Sequence, residues 1–358
     1  DFALYEHGKI RIHKVLSTPS APERAILQGI DELQLSAQVK AGEITIIHGS
    51  TVATNAALEG KGVRTAFITN KGFKDLLSIG RQTRRELYNL QPASIAPPVA
   101  SELCLEANCR TNANGQSLQA LGDEDLQRLV DAVIALEVDA VAINLLFSFL
   151  APEDEKRIEA ALHQQTNSQL FISRSSYVLP EYKEYERGIA TWLNAYLGPL
   201  VQNYLQRLQQ AVTPSPLGVM QSSGGTIDAE QAGQRAVNLL LSGPAGGLAG
   251  ASYLAKLTGQ QNLLTFDMGG TSTDVAALSL ATDGGLQLTC EGKLGHYPIS
   301  VPMVDMHTIG AGGGSLARVD LGGLLQVGPE SAGASPGPAC YGRGGLAATV
   351  TDANAVLG

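Results

Sequence analysis

The chain has 358 residues, of which 34 are acidic and 25 basic, so its net charge is −9 with neutral histidines. A nucleic-acid-binding surface needs a basic patch that displaces phosphate counterions, and this charge balance argues against one. No apolar run reaches the roughly 18 residues that a membrane span requires. We therefore expect no nucleic-acid partner and no membrane partner.

The cysteines and the first residues bear on the cellular location. The four cysteines include no CxxC pair and are too few for a disulfide scaffold in a chain of this size. They predict reduced thiols and a cytoplasmic protein. The chain begins at Asp1 without an initiator Met, and no basic region with a following apolar run marks a signal peptide. We expect a processed chain or a fragment.

The first half of the sequence alternates between strand and helix patterns. A hairpin with a turn at His7 and Gly8 is predicted over residues 2–15, followed by a helix that begins at Pro22. Prolines 92, 97 and 98 favour loops and edge strands over residues 90–120. Further predicted strands cover residues 44–47, 65–69, 140–146 and 170–173, and further helices cover residues 123–136 and 152–165. This alternation indicates an α/β fold.

The second half continues with one long helix and several short strands. Residues 182–210 predict a helix interrupted at Gly198 and Pro199, and the segment 213–216 ends it. Strands are predicted over residues 217–220, 262–266 and 274–278, with a helix over residues 244–257. Cores seldom grow beyond about 250–300 residues, so we expect two domains, residues 1–185 and residues 186–358.

The most informative segment is residues 266–274, FDMGGTSTD, between two apolar strands. Adjacent glycines let backbone N–H groups approach oxyanions, and threonine and serine hydroxyls add donors. The flanking carboxylates of Asp267 and Asp274 suit a hydrated Mg²⁺. The alternative interpretation is an ordinary tight glycine turn with solvated hydroxyls.

The strand and turn pattern after Asp274 has a counterpart after Asp1. A strand, a turn at residues 283–285 and another strand follow Asp274, while a strand, the Gly8 turn and another strand follow Asp1. The chain is therefore interpreted as beginning on the last residue of a first copy of the same loop, with chance similarity as the alternative.

Two more glycine-rich segments suit nucleotide contacts. Residues 307–315, HTIGAGGGS, can lay bare backbone against a base, ribose or phosphate, or form a surface linker. Residues 242–247 begin a helix, where N–H groups either meet an anion or serve ordinary packing.

These motifs together resemble the hydantoinase A / 5-oxoprolinase family, whose relatives include acetone and acetophenone carboxylase subunits. The resemblance covers nearly the whole chain through seven stretches, at residues 48–56, 179–187, 220–225, 241–246, 267–274, 307–315 and 336–345. The first phosphate loop of relatives corresponds here only to Asp1, and the chain ends before relatives do.

The resemblance implies an α/β architecture of two actin-like, sugar-kinase-like (ribonuclease H-like) ATPase domains with ATP in the cleft between them. It implies that Asp267 orients Mg²⁺ or the attacking group and that Asp274 supports the coordination shell of the metal. The residues expected to hold the nucleotide are Asp1, Gly269, Gly270, Thr271, Ser272 and Thr273 on the phosphate side and Gly310, Gly312, Gly313 and Gly314 on the nucleoside side.

The implied activity is ATP-dependent phosphorylation of the carbonyl oxygen of a cyclic amide, such as hydantoin or 5-oxoproline, before ring opening. Two alternatives stay open, namely an ATP-dependent ketone carboxylase subunit and a regulatory ATP-binding module. Ring opening or carboxylation is expected to need a second, hydantoinase B-like subunit.

Four weaker candidates complete the set. Asp305 and His307, two residues apart, would face one side of a strand and form an additional divalent-metal site with His48 or Cys340, or a hydrogen-bonded pair without metal. His48 opens a loop of polar donors suited to a small substrate, which Ser50 or Thr51 as helix caps explains equally well. Cys340 is interpreted as a structural thiol. The charged residues 181–187 are interpreted as a solvated helix face.

Overall fold

The computed structural model describes residues 1–16, 18, 21–83, 88, 90–91, 96–280, 286–295, 297–320, 322–333 and 335–358, and leaves out the side chain of Pro329. Pro92 and the predicted turn at residues 283–285 lie outside the described residues. The chain divides into two compact units. The first unit is Asp1–Ser242 with Cys290–Pro302, and the second is Gly243–Thr289 with Met303–Gly358.

The helices and strands of residues 1–241 are, in chain order, β1 (Phe2–Glu6), β2 (Lys9–His13), α1 (Pro22–Glu32), α2 (Ser36–Ala41), β3 (Ile46–His48), α3 (Val52–Leu58), β4 (Thr65–Asn70), α4 (Leu76–Ile79), β5 (Cys104–Ala107), β6 (Arg110–Thr111), β7 (Ser117–Gln119), α5 (Asp123–Ala135), β8 (Ala140–Asn144), α6 (Glu153–Gln165), β9 (Phe171–Arg174), α7 (Ser175–Val178), α8 (Glu184–Val212), β10 (Leu217–Met220), β11 (Thr226–Asp228) and α9 (Ala229–Gln234).

The remaining elements are α10 (Ser242–Thr258), β12 (Asn262–Met268), β13 (Thr273–Ser279), β14 (Leu288–Thr289), β15 (Gly292–Leu294), β16 (Tyr297–Ile299), β17 (Met303–Val304), β18 (His307–Ile309), β19 (Ser315–Val319), β20 (Leu325–Ser331) and α11 (Val350–Leu357). Of these, β15 and β16 belong to the first unit.

A parallel sheet in the order β5-β4-β8-β9 forms the main core of the first unit. Strands β4 and β8 are buried along their whole length, as their continuous apolar runs predict. Residues of α5 and α6, including Val130, Val133 and Ile158, pack on this sheet in one apolar cluster. The predicted alternation of helix and strand is confirmed here.

Helix α8 is continuous over 29 residues, so the predicted interruption at Gly198 and Pro199 is wrong. Pro199 removes one backbone hydrogen bond, but buried Leu197 and Val201 on either side anchor the helix. Gly198 serves close packing, because a Cβ there would lie 2.2 Å from the ring of Phe171. The cis peptide bond that follows at Thr213–Pro214 lies just beyond the helix end.

The hairpin β1–β2 is confirmed, with His7 and Gly8 at positive φ in its two-residue turn. A separate three-stranded sheet has the order β11-β10-β3, in which β3 runs parallel to β10. A buried strand over residues 44–47, which its apolar residues would favour, is not found, since β3 covers Ile46–His48 and Ile47 is 53% exposed. As an edge strand, β3 points alternate side chains away from its core.

The second unit is built around the antiparallel sheet β12-β13-β18. Ala245 and Leu248 of α10 pack against Ala276 and Leu278 of β13 in its apolar core. Strand β14 pairs with β17, whereas β13 pairs with β12 along its whole length and with β18 over Thr273–Val275. The predicted repeat of the β1–β2 hairpin after Asp274 has its turn outside the described residues and stays a prediction.

The predicted boundary between residues 185 and 186 falls in the first turn of α8, inside the first unit. As a boundary between two family domains, it stays a prediction.

Candidate functional site

Two carboxylates meet at the end of the β12–β13 hairpin. Asp267 is paired in register with Asp274, so both side chains leave the same face of the sheet. Asp267 is exposed, whereas Asp274 is partly buried and its Oδ1 accepts a hydrogen bond from the Thr308 hydroxyl at 2.6 Å. Like charges directly opposite in a hairpin are unfavourable. This position therefore favours a cation.

The turn between the two strands carries N–H groups without acceptors. The N–H of Gly269 bonds to the carbonyl of Ser272 at 2.9 Å and closes the turn. For the N–H groups of Gly270, Thr271 and Ser272, the described residues provide no acceptor. Successive free N–H groups form a concave donor surface for an anion.

The glycine-rich segment 310–314 lies directly on this turn. The N–H groups of Gly313 and Gly314 donate to the carbonyls of Gly269 and Gly270 at 2.9 and 2.7 Å. The Thr273 hydroxyl donates to Ala311 O at 2.6 Å, so this side chain is already engaged in holding the loops together. The two predicted nucleotide segments therefore form one structural element within the second unit.

Close contact between the two loops explains why glycine stands at their junction. A Cβ on Gly312 would lie 2.6 Å from Gly269 O and 2.8 Å from the nitrogens of Thr271 and Ser272. A Cβ on Gly314 would lie 2.8 Å from Gly270 O. By contrast, a Cβ on Gly310 would meet nothing within 4 Å.

A pocket of about 260 Å³ lies beside the paired carboxylates in the second unit. Asp267 and Asp274 supply its charged groups, and the first turns of α10 supply a mostly apolar wall. The lining residues from that helix are Pro244, Gly247, Leu248 and Ala251.

The predicted metal pair Asp305 and His307 is not on one strand. Asp305 follows β17, His307 begins β18, and these strands belong to different sheets. Both side chains are exposed. Among the described residues, no group of three or more His, Cys, Asp or Glu side chains is placed to hold a metal ion. The prediction assumed one strand through Asp305 and His307, but residues 305–306 do not belong to a strand.

His48 lies in the first unit at the carboxyl end of β3. Its Nε2 is 2.6 Å from the hydroxyl oxygen of Tyr204, which is 3% exposed on α8. Burial lowers the pKa of His48 to about 4, so the ring is uncharged at neutral pH. The Ser50 hydroxyl accepts the Val52 N–H at 3.2 Å, while Thr51 at the helix cap makes no side-chain cap bond.

Asp1 also lies in the first unit, immediately before β1. Its carboxylate is 3.4 Å from Nζ of Lys14, and both side chains are largely exposed. Its role as a nucleotide contact stays a prediction.

The predicted solvated face over residues 181–187 is wrong at Arg187. This guanidinium is fully buried and donates to Asn144 Oδ1, Glu181 O and Leu145 O at 3.0, 2.8 and 2.7 Å. Helix α8 begins only at Glu184, so residues 181–183 form the approach to the helix rather than its surface. A charged residue in an acidic segment carries no sequence signal for such burial.

The four cysteines are not bonded to one another in the structure, and their reduced state in the cell stays a prediction. Cys340 is exposed, and its backbone N–H donates to Asp352 Oδ1 at 2.7 Å. The hydrogen bond to Asp352 raises the pKa of the Cys340 thiol, which disfavours a nucleophilic thiolate.

Sequence comparison places both halves of the chain in one family. The family model described as Hydantoinase/oxoprolinase matches residues 187–358, and its N-terminal region model matches residues 1–166. The chain belongs to the hydantoinase/oxoprolinase family.

Two relatives illustrate this membership. Caprolactamase subunit alpha of Pseudomonas jessenii is 34% identical over 371 residues, which cover 100% of this chain and 53% of the relative. The 5-oxoprolinase 1 of Arabidopsis thaliana is 35% identical over 335 residues, which cover 87% of this chain and 25% of the relative. The chain thus spans about half of the first protein and a quarter of the second.

Solved structures agree with the family. The crystal structure of the ATP-dependent caprolactamase from Pseudomonas jessenii matches 100% of this chain and 53% of that chain, with a TM-score of 0.81 and 32% identity. The nucleotide-free structure of acetone carboxylase, which carries out ATP-dependent acetone carboxylation, matches 96% of this chain and 51% of that chain, with a TM-score of 0.77 and 26% identity. The predicted α/β, actin-like ATPase fold of the hydantoinase family is confirmed.

Among the described helices, none is long and apolar enough to cross a bilayer.

Proposed function

We propose that this hydantoinase/oxoprolinase chain is the ATP-binding part of an enzyme that phosphorylates the carbonyl oxygen of a cyclic amide before the ring opens. The observation that carries this proposal is the turn over residues 269–272. It offers three N–H groups that have no acceptor among the described residues, and two directly opposed carboxylates flank it. Anion donors beside paired acids suit a phosphate with its counter-cation.

The chemistry of a cyclic amide explains the need for ATP. Resonance makes the amide carbonyl a poor electrophile, and a phosphorylated oxygen is a far better leaving group. When bound, ATP supplies the phosphoryl group and Mg²⁺ offsets its charge. The contribution of the protein is positioning and charge stabilisation. In our proposal Gly270, Thr271 and Ser272 hold phosphate oxygens, while residues 310–314 fix the shape of the turn and face the nucleoside.

The paired acids fit Mg²⁺. Magnesium is commonly bound through one or two carboxylates, with water and substrate phosphates as its other ligands. Asp267 and Asp274 provide two carboxylates on one face, and no third protein ligand is required. Asp267 would contact the hydrated cation, and Asp274, held by Thr308, would orient its shell.

The names of two relatives support a cyclic amide as substrate, because caprolactamase and 5-oxoprolinase both act on a lactam. The likeness to acetone carboxylase favours a second candidate, activation of a ketone for carboxylation. A regulatory ATP-binding module is the third. Since one relative is called subunit alpha, we propose that turnover needs a second, hydantoinase B-like subunit.

The proposal is tested by isothermal titration of the chain with Mg-ATP, followed by phosphate-release assays with a co-expressed second subunit. We expect ATP binding by the chain and lactam-dependent phosphate release by the assembly. Release that depends on a ketone and bicarbonate would favour the carboxylase. Nucleotide binding without any substrate-dependent release would favour the regulatory module, and absence of ATP binding would refute all three.

A further inference from the structure

A groove of about 790 Å³ lies beside β9, which is an edge strand of the main sheet of the first unit. Residues 168–174 form its floor, and side chains of α6 and α8 form its two walls. All of its lining comes from the first unit, and none is shared with the pocket beside Asp267 and Asp274. Its volume lies within the range of about 300–1,000 Å³ that is usual for ligand sites. We call it the β9 groove.

The two walls of the β9 groove stand on opposite faces of the sheet. Ile172 packs on the apolar cluster that includes Ile158 of α6. On the other face, the ring of Phe171 lies so close to α8 that only a glycine fits at residue 198. The free edge of β9 is therefore recessed between two helices. A second copy of this chain, whose own edge is recessed in the same way, could not reach it.

The recessed edge carries backbone groups without partners. The N–H of Phe171 donates to Asp139 O at 3.3 Å, so the backbone groups of Phe171 face β8. Successive residues of a strand direct these groups to opposite edges, so the N–H and C=O of Ile172 face the groove. Among the described residues, neither group of Ile172 has a hydrogen-bond partner. Such an edge is a template for the backbone of an added strand.

Side-chain hydrogen bonds hold both walls to the strand. Arg174 Nε donates to Glu159 Oε2 at 2.6 Å and ties the end of β9 to α6. Asn194 Nδ2 donates to Ser173 Oγ at 2.9 Å and ties the strand to α8. The groove is thus formed before anything binds in it, and a preformed site reduces the entropy lost on binding.

The lining of the groove is polar and slightly acidic. Its charged groups are Asp139 and Glu159 against Arg174, which gives a formal charge of −1 with His163 uncharged. The α8 wall adds the amide of Asn203, which forms no hydrogen bond within the described part of the chain. These groups suit an occupant with polar, neutral or basic side chains.

We propose that the β9 groove receives an extended segment of the second subunit, which adds a strand to β9. A polypeptide backbone supplies both the acceptor and the donor that Ile172 lacks, in the spacing of a sheet. The partner is a subunit because a relative that this chain matches along its whole length is named subunit alpha. This inference rests on the proposed function for its partner, since the second subunit is part of that proposal.

Hydrogen exchange measured by NMR on the full chain, alone and in the assembly, tests the docking site. The amide of Ile172 should exchange at least about tenfold more slowly in the assembly, because it gains a hydrogen bond. The amide of Phe171 is already bonded to Asp139 and is the control, with a smaller change expected. Equal exchange of Ile172 in both samples, or absence of any assembly, would overturn the proposal.

A substitution on the α8 wall tests the groove without altering the strand. Asn203→Trp fills the groove and should weaken association with the second subunit at least about tenfold. Gln206→Trp is the matched control, because Gln206 is an exposed residue of the same helix that does not line the groove. It should leave association unchanged. Equal affinities of the two variants for the second subunit would refute docking in the groove.

A second pair of variants tests the backbone donor. Ile172→Pro removes the N–H that faces the groove, and proline is tolerated on an edge strand at such a position. Ile172→Ala also shortens the side chain but keeps the N–H. The proline variant should associate at least about tenfold more weakly than the alanine variant, and equal association would refute strand addition. If Ile172→Pro does not fold, Asn203→Trp and the exchange of Ile172 decide the question.

Failure of this proposal is distinguishable from failure of the proposed function. Each variant alone should bind Mg-ATP as the unmodified chain does, because the groove lies in the first unit and the turn at residues 269–272 lies in the second. An assembly with a protected Ile172 amide but no substrate-dependent phosphate release would refute the cyclic-amide function and leave the docking site standing. Phosphate release by an assembly in which Ile172 stays unprotected would do the reverse.

Discussion

Asp267 and Asp274 are cross-strand partners at the turn end of the β12–β13 hairpin, where their carboxylates share one face. We expect Asp267→Asn to have opposite effects in two conditions. Without ligand it removes a like-charge contact and should stabilise the chain by about 0.2–1 kcal/mol. With Mg-ATP it should weaken binding at least about tenfold. Thermal unfolding and isothermal titration measure these effects.

Glu330→Gln is the matched control for Asp267→Asn, because it neutralises an exposed acid of the same unit that pairs with Arg318. It should leave nucleotide affinity unchanged. Equal loss of affinity in both variants would point to net charge rather than to the paired acids. In the assembly, Asp267→Asn should also abolish substrate-dependent phosphate release.

Gly312→Ala tests the contact between the two glycine-rich loops. The new Cβ would lie 2.6 Å from Gly269 O, so one loop must shift, and we expect a loss of about 1–3 kcal/mol in the free energy of unfolding. Nucleotide affinity should fall with it. Gly310→Ala in the same loop is the control, since its Cβ meets nothing within 4 Å. Similar unfolding curves for both variants would contradict the packing argument.

Arg187→Met tests the buried guanidinium. The variant leaves the carbonyls of Glu181 and Leu145 and the Asn144 side chain without their donor, and it should destabilise the chain by about 3–5 kcal/mol. Arg81→Met removes a surface ion pair with Glu186 and should cost less than about 1 kcal/mol. Chemical denaturation measures both, and equal costs would argue against the buried network.

The uncharged state of His48 predicts how stability depends on pH. Its pKa is about 4 in the folded chain and 6.5 in a model peptide, so between these values the unfolded chain binds more protons. Stability should therefore fall as pH decreases from about 6.5 to 4, by about 2–3 kcal/mol from this residue. In urea denaturation at a series of pH values, the stability of the unmodified chain should fall relative to that of His48→Gln as pH decreases through this range. A constant difference would mean that the ring is not buried uncharged.

Sequence patterns predicted the elements whose local and tertiary preferences agree. Strand β8 is apolar along its length and lies in the centre of its sheet, and Pro22 begins α1 as its fixed φ favours. The turn at residues 269–272 was predictable because adjacent glycines between two apolar strands favour a tight hairpin turn.

The remaining features depend on tertiary contacts that no local pattern records. Pro199 stays inside α8 because neighbouring buried side chains hold the helix. Tyr204 is 156 residues from His48 in sequence, and nothing near His48 indicates its partner. Gly312 and Gly314 were expected to contact a nucleotide. In the structure a Cβ on either residue would lie too close to the backbone of the neighbouring turn, so packing alone explains both glycines.

The mutual support of residues 269–272 and 310–314 limits how the chain can be re-engineered. Each loop is the template on which the other takes its shape, so grafting the short acidic turn alone into a foreign hairpin would not transfer its anion-binding geometry. A graft would have to include both loops, and substitutions in one loop would have to be selected together with substitutions in the other.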